Sequence, residues 1–196
     1  QGLASIPGSK LSASRKESIR TVAQRADDLI TELGGTTDKA ELSERIKTTI
    51  TSTIDGMDRQ ASDLYDEIGA AIPQGSKVDL SSANATLGSM AETYGGKQYL
   101  EPLEKRILSL SEIDGGVPYA LLDKERKKIG QALRKMSGPY KDTDSGTLKR
   151  LYGMLTDAQE KAAGDLGADD LWNTAKALVS QRKELEDQSI QLLGKK

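Results

Sequence analysis

The chain has 196 residues, 36% of them apolar and 30% charged, and its 28 Lys and Arg against 30 Asp and Glu leave a formal charge of −2. It contains no Cys and no His, which excludes thiol nucleophiles, disulfides, Cys/His zinc sites and histidine acid–base catalysis, and the charge balance lacks the basic excess that neutralises nucleic-acid phosphates along a whole chain. With aromatics at 4%, no Phe and one Trp, the core must rest on Leu, Ile and Ala, residues suited to narrow interhelical seams.

In chain order, the opening Gln1 to Ser9 carries neither the charged-then-apolar pattern of a signal peptide nor an initiator Met; the chain is expected to be an excised fragment of a longer polypeptide. Ile19, Val22, Ala26, Leu29 and Leu33 repeat at three-four spacing and predict a first helix from about Ser9 to Leu33, closed by Gly34 and Gly35. Asp38 and Glu41 have the spacing of a capping box at the next helix start. From there to Ile72 no proline intervenes, and Ile50, Ile54, Met57, Ala61, Leu64, Ile68 and Ala71 recur at alternating steps of four and three. That is one apolar seam on a rod of about 50 Å at 1.5 Å per residue. The short turn between these helices predicts an antiparallel hairpin.

After Pro73 a polar stretch, Gln74 to Asp79, marks the best internal boundary. A weaker helix follows from about Leu80 to Tyr94, interrupted by Asn84 and Gly88 and stopped by Gly95 and Gly96. Pro102 suits the first turn of a fourth helix bearing Leu103, Ile107 and Leu110. Gly115 and Gly116 end it, and a fifth helix spans about Pro118 to Met136 with Leu122, Ile129, Leu133 and Met136 on one side. A turn at Ser137, Gly138 and Pro139 precedes a sixth helix from Asp144 or Ser145, which carries Leu148, Leu151, Tyr152, Leu155, Ala158 and Ala162. The last runs from about Ala168 to Leu193 with Leu171, Trp172, Ala175, Leu178, Leu185 and Leu192. No segment alternates with the period of two expected of a strand. The expected fold is all-α: an elongated bundle with a long helical hairpin over residues 1–72 and a region of shorter helices over 73–196, the two forming separate lobes or one continuous array.

Several constellations resemble chemistry. Asp142, Thr143, Asp144, Ser145, Gly146 and Thr147 approach the Asp-x-Asp-Gly-Thr loop of haloacid dehalogenase phosphatases. The preceding Ser137 to Lys141 is turn-like where that loop needs a buried strand, and an extra Ser breaks the spacing. A helix cap by Asp144 or Ser145 explains the residues. The same stretch fails as an EF-hand, since Thr147 and Gly153 stand where glycine and a bidentate Glu are required. Ser180 and Lys183 form a Ser-x-x-Lys inside the charged run Gln181 to Asp187, where a solvated face is the simpler account. The pairs Asp27 with Asp28 and Asp169 with Asp170 are adjacent, so their carboxylates point to different helix faces. Asn84, Ala85, Thr86 is a formal glycosylation sequon within a helix. A carboxylate-based or Ser–Lys hydrolase would need groups converging from different helices, and no catalytic, cofactor-binding or metal-ligating residue is assigned.

Two surfaces are candidates for contact. Ile50, Ile54, Met57, Leu64 and Ile68 would bind a partner wherever the first helix leaves the seam uncovered. Lys124, Arg126, Lys127, Lys128, Arg134 and Lys135 make the fifth helix locally basic and could meet an anionic membrane surface or DNA phosphates.

The run from Leu122 to Leu133, the turn Gly138, Pro139, Tyr140, the run from Thr147 to Asp157 and the closing stretch from Trp172 to Gly194 together resemble helical segments of very large bacteriophage virion proteins, the tape-measure-like and internal ejection proteins. The resemblance covers roughly the last 75 residues of the chain and carries no catalytic residue. It implies a non-enzymatic, cofactor-free segment of a phage or prophage particle protein that travels in the virion and leaves with the genome. Its partners would be other segments or copies of the parent, with no small-molecule substrate. The absence of disulfides would let such helices unfold for passage through a narrow channel.

Overall fold

A computed structural model describes residues 13–35 and 44–193. The expected helix start at Ser9, the capping box of Asp38 and Glu41, and the side chains of Ile19, Val22, Leu33, Lys135 and Leu192 lie outside the described residues. The elements are α1 (Ala13–Gly35), α2 (Glu44–Ala71), β1 (Lys77–Val78), α3 (Ser81–Tyr94), a 3-10 turn (Lys97–Tyr99), α4 (Pro102–Ser111), β2 (Val117–Pro118), α5 (Tyr119–Lys135), α6 (Ser145–Asp165) and α7 (Asp169–Leu193). The fold is an all-α helical bundle, and each expected helix is present within a residue or two of its expected bounds wherever those bounds are described.

The division into units differs from the expected one. The chain forms two compact units: one is Ile72–Leu166, and the other, over its described residues, is α1, α2 and α7. The boundary near Pro73 is where the composition placed it. A second boundary, at Leu166 and Gly167, returns the last helix to the first two, so the long helices are not a self-contained hairpin. The physical reason is the seam of α2, which packs most extensively against α7 and less against α1. Leu171, Trp172, Leu178 and Leu185 of α7 are buried with Ile50, Met57, Leu64 and Ile68 of α2 and Ala26 and Leu29 of α1. Trp172 meets Tyr65 edge-on, with ring centroids 5.0 Å apart and planes at 71°, a favoured aromatic geometry. Asp58 faces Arg182 and Tyr65 faces Trp172, so α2 and α7 run antiparallel. The end of α2 and the start of α7 therefore share one end of this unit.

Within Ile72–Leu166 the helices run from 10 to 21 residues, and several of their ends are fixed individually. Leu80, Leu87, Leu103, Ile107, Leu122, Ile129, Leu151 and Leu155 form the core. α5 packs against α6 and α3 against α4. Gly95 ends α3 in the left-handed region at φ 89°, the common glycine stop. At α4 the Glu101 N–H donates to Glu104 Oε2 at 2.8 Å and Pro102 takes the first turn. Asp144 caps α6 by accepting from the Thr147 N–H at 3.0 Å, which accounts for the phosphatase-like sequence as a helix start. No strand is expected from the residue pattern, yet β1 and β2 pair antiparallel with Lys77 opposite Pro118 and Val78 opposite Val117. Two residues per strand are too few for a period to show. Gly116 permits the ribbon: at φ +92°, a Cβ there would stand 2.8 Å from the Val78 carbonyl oxygen.

Candidate functional site: the charged network of α4, α5 and α6

α5 is the expected basic helix, and its faces are set by pairings along and across it. Asp123 accepts from Lys127 at 2.8 Å and from Arg126 at 3.2 Å, at i+4 and i+3 spacing, the neighbour relation of a helix surface. From α6, Gln159 Nε2 donates to the same carboxylate at 3.2 Å. Arg126 is only 3% exposed; it donates to the Tyr152 hydroxyl at 3.0 Å and lies over the Tyr152 ring at 5.7 Å, within cation–π range. Gly130 makes room for that ring, since a Cβ there would sit 3.0 Å from its edge.

A second carboxylate, Glu125, is 2% exposed. It accepts from the Tyr140 hydroxyl at 2.6 Å, from Lys128 at 3.1 Å and from Arg106 of α4 at 3.4 Å. Tyr140 thereby fastens the α5–α6 connection to α5. A third, Glu104 of α4, is buried and bonded to Arg150 of α6, while Thr147 donates to Glu101 at 3.4 Å. Each buried acid thus has a cation from its own or a neighbouring helix, as burial of charge demands.

The electrostatics follow from those contacts. Burial pushes the Asp123 carboxyl up, but the hydrogen bonds from Lys127 and Gln159 and the charges of Arg126 and Lys127 outweigh it and hold it below its ordinary value. Glu125 behaves alike: burial raises it, and Tyr140, Lys128 and Arg106 bring it down. Burial and the adjacent Glu125 push the Tyr140 phenol up to about 12. An acid held ionised beside a phenol held protonated is the reverse of a general acid–base pair poised near neutrality; the arrangement joins helices.

The cations of α5 fall into different settings. Lys124 and Arg134 are exposed, Lys127 and Lys128 hold Asp123 and Glu125, Arg126 is buried, and the Lys135 side chain is outside the described residues. Arg126 is thus corrected from a membrane or phosphate contact to a core group, because Asp123 and Tyr152 draw it inward.

The partner seam is corrected too. Ile50, Met57, Leu64 and Ile68 are buried and Ile54 is half-buried; α7 covers the row that was expected to await a partner. Ser180 and Lys183 are exposed along α7. Asn84 donates to Ser111 of α4 at 3.0 Å, which engages the sequon side chain. Asp27 accepts from Gln181 of α7 at 2.9 Å, and Asp28 from Gln24 of its own helix at 2.9 Å.

Two features escaped the reading of residues. Arg182, inside the charged run Gln181 to Asp187, is 6% exposed. It continues the row Leu171, Ala175, Leu178 at a step of four, and that gap in an apolar repeat was its one available signal. A shallow depression of about 300 Å³ is lined by Lys97, Gln98, Lys105, Leu108, Ser109 and Glu112. Its lysines are engaged, Lys97 with Glu112 and Lys105 with the Gln98 carbonyl at 2.7 Å. Among the described residues no group of three Asp, Glu, His or Cys could hold a metal ion, and no described helix is long and apolar enough to cross a membrane. Compared with known protein families, with curated proteins and with solved structures, the chain has no match.

Proposed function

We propose that the chain is a non-enzymatic structural module that works by helix–helix packing, and that its parent is a large bacteriophage or prophage virion protein. The observation that carries the packing role is the closure of one unit by helices from both sides of Ile72–Leu166: α1 and α2 precede it, α7 follows it, and α7 contacts both. The charged network supports the same role, because its acids and cations are spent on joining α4, α5 and α6. The virion parent is supported by the resemblance of the chain from about Leu121 onward. Other segments or copies of that parent are the partners, and they meet outward faces, since the α2 seam is already occupied.

Peptide mass spectrometry of purified phage particles from the source strain, before and after adsorption to host cells, tests the assignment. Peptides present in full particles and depleted in emptied ones are the expected result. Their absence from every particle overturns the virion parent and leaves the packing role to be tested by pull-down.

A further inference from the structure

We infer that Arg182 is a register pin: it fixes which residues of α7 stand opposite which residues of α2, and it bars α7 from pairing with the α7 of a second copy.

Leu171, Ala175, Leu178, Arg182 and Leu185 follow one another at alternate steps of four and three, and all are buried. Arg182 therefore occupies an inward position of a helix seam. The row Ile50 to Ala71 on α2 is apolar, and the one buried polar side chain beside it among the described residues of α2, Thr53, donates to the Thr49 carbonyl of its own helix at 2.8 Å. A cation at an inward position lowers the stability of such a pair relative to an apolar side chain and specifies register and association state in return.

The contacts of Arg182 fit that exchange. Its Nε faces Asp58 Oδ1 at 3.3 Å without forming a hydrogen bond among the described residues, and its Nη1 donates to Glu186, one turn along its own helix, at 2.7 Å. The Glu186 contact is available in any register. The Asp58 contact is not: a slip of one heptad along α2 would place Thr51 or Tyr65 where Asp58 stands, and neither is acidic. Met57, Ala61 and Leu64 would tolerate such a slip, because apolar knobs and holes are interchangeable from heptad to heptad. Pairing of two α7 helices would likewise bury two guanidinium groups with no Asp58 for either.

The experiment uses the full chain, whose lack of native cysteine allows spin labels at Ser62→Cys and Ser180→Cys, exposed positions on α2 and α7. With Arg182 in place, electron–electron resonance should give one narrow intramolecular distance. In Arg182→Met the melting temperature should rise while the distance distribution broadens or splits, and light scattering should show added mass. A single narrow distance with unchanged mass in Arg182→Met overturns the inference, and so does a lowered melting temperature, which would make the ion pair a source of stability. Should Arg182→Met not fold, Asp58→Asn decides: a broadened distribution supports the pin, and an unchanged one overturns it.

Discussion

The two units solve the problem of burying charge in opposite ways. In α1, α2 and α7, long helices expose most of their charges and bury apolar rows, with Arg182 the exception on α7. In Ile72–Leu166, helices of 10 to 21 residues bury Glu104 and Glu125, which pair with Arg150 and Arg106 of neighbouring helices, and Arg126, which donates to the Tyr152 hydroxyl of α6. The contrast teaches that length substitutes for specificity of contact. A seam of several heptads accumulates enough apolar area to hold by repetition, whereas α3 and α4, with 14 and 10 residues, need caps and cross-helix bonds to choose their neighbours.

The comparison breaks most visibly at Leu64, which is fully buried. Leu64→Asp places a charge in the α2 seam and should cost more than about 4 kcal/mol, enough to open α1, α2 and α7. Amide hydrogen exchange should show their protection lost while that of Ile72–Leu166 persists; equal loss in both units would mean that they do not stand independently. On the other side, Glu125→Ala strands Arg106, Lys128 and the Tyr140 hydroxyl and should cost about 3 kcal/mol, as breaking a buried ionic group does. Here exchange should accelerate in α5 and the α5–α6 connection.

The same network predicts a pH signature. Asp123 and Glu125 are held below their ordinary values, so the stability they contribute is present above about pH 4 and is lost as acid protonates them in the folded state. Tyr140 has the opposite sign: raised from 10.0 to about 12, its contribution is full below pH 10 and is lost between there and about pH 12. Denaturant midpoints for Ile72–Leu166 should fall at both extremes, and Tyr140→Phe should remove the alkaline fall. The smallest effect belongs to a single cap: Asp144→Ala forfeits the bond to the Thr147 N–H and should cost about 1 kcal/mol, read as a shifted midpoint with an unchanged slope.

How much of this was legible depends on whether the signal was local. The Ile50 to Ala71 row, Pro102 in a first turn, the Asp144 cap and the glycine stop at Gly95 each declare themselves within a few residues, and each is present. The choice of α7 as the cover for α2 was not legible, because any amphipathic helix of similar length satisfies an apolar row. Nor was the boundary at Gly167, whose turn, at φ +78°, looks in sequence like every other glycine turn of the chain. In α5 the i+3 and i+4 spacing of Asp123 and Glu125 to their cations could be read directly, but the burial of Arg126 depends on Tyr152, which is brought to it by the antiparallel return of α6.

The split unit also imposes an order in time. On the ribosome, α2 is finished long before α7 exists, and the whole of Ile72–Leu166 must be translated in between. At 5–20 residues per second that interval is roughly ten seconds, during which a row of Ile, Met and Leu side chains waits without its cover. Until α7 is made, α1 is the one described helix of this unit that can pack on the α2 row.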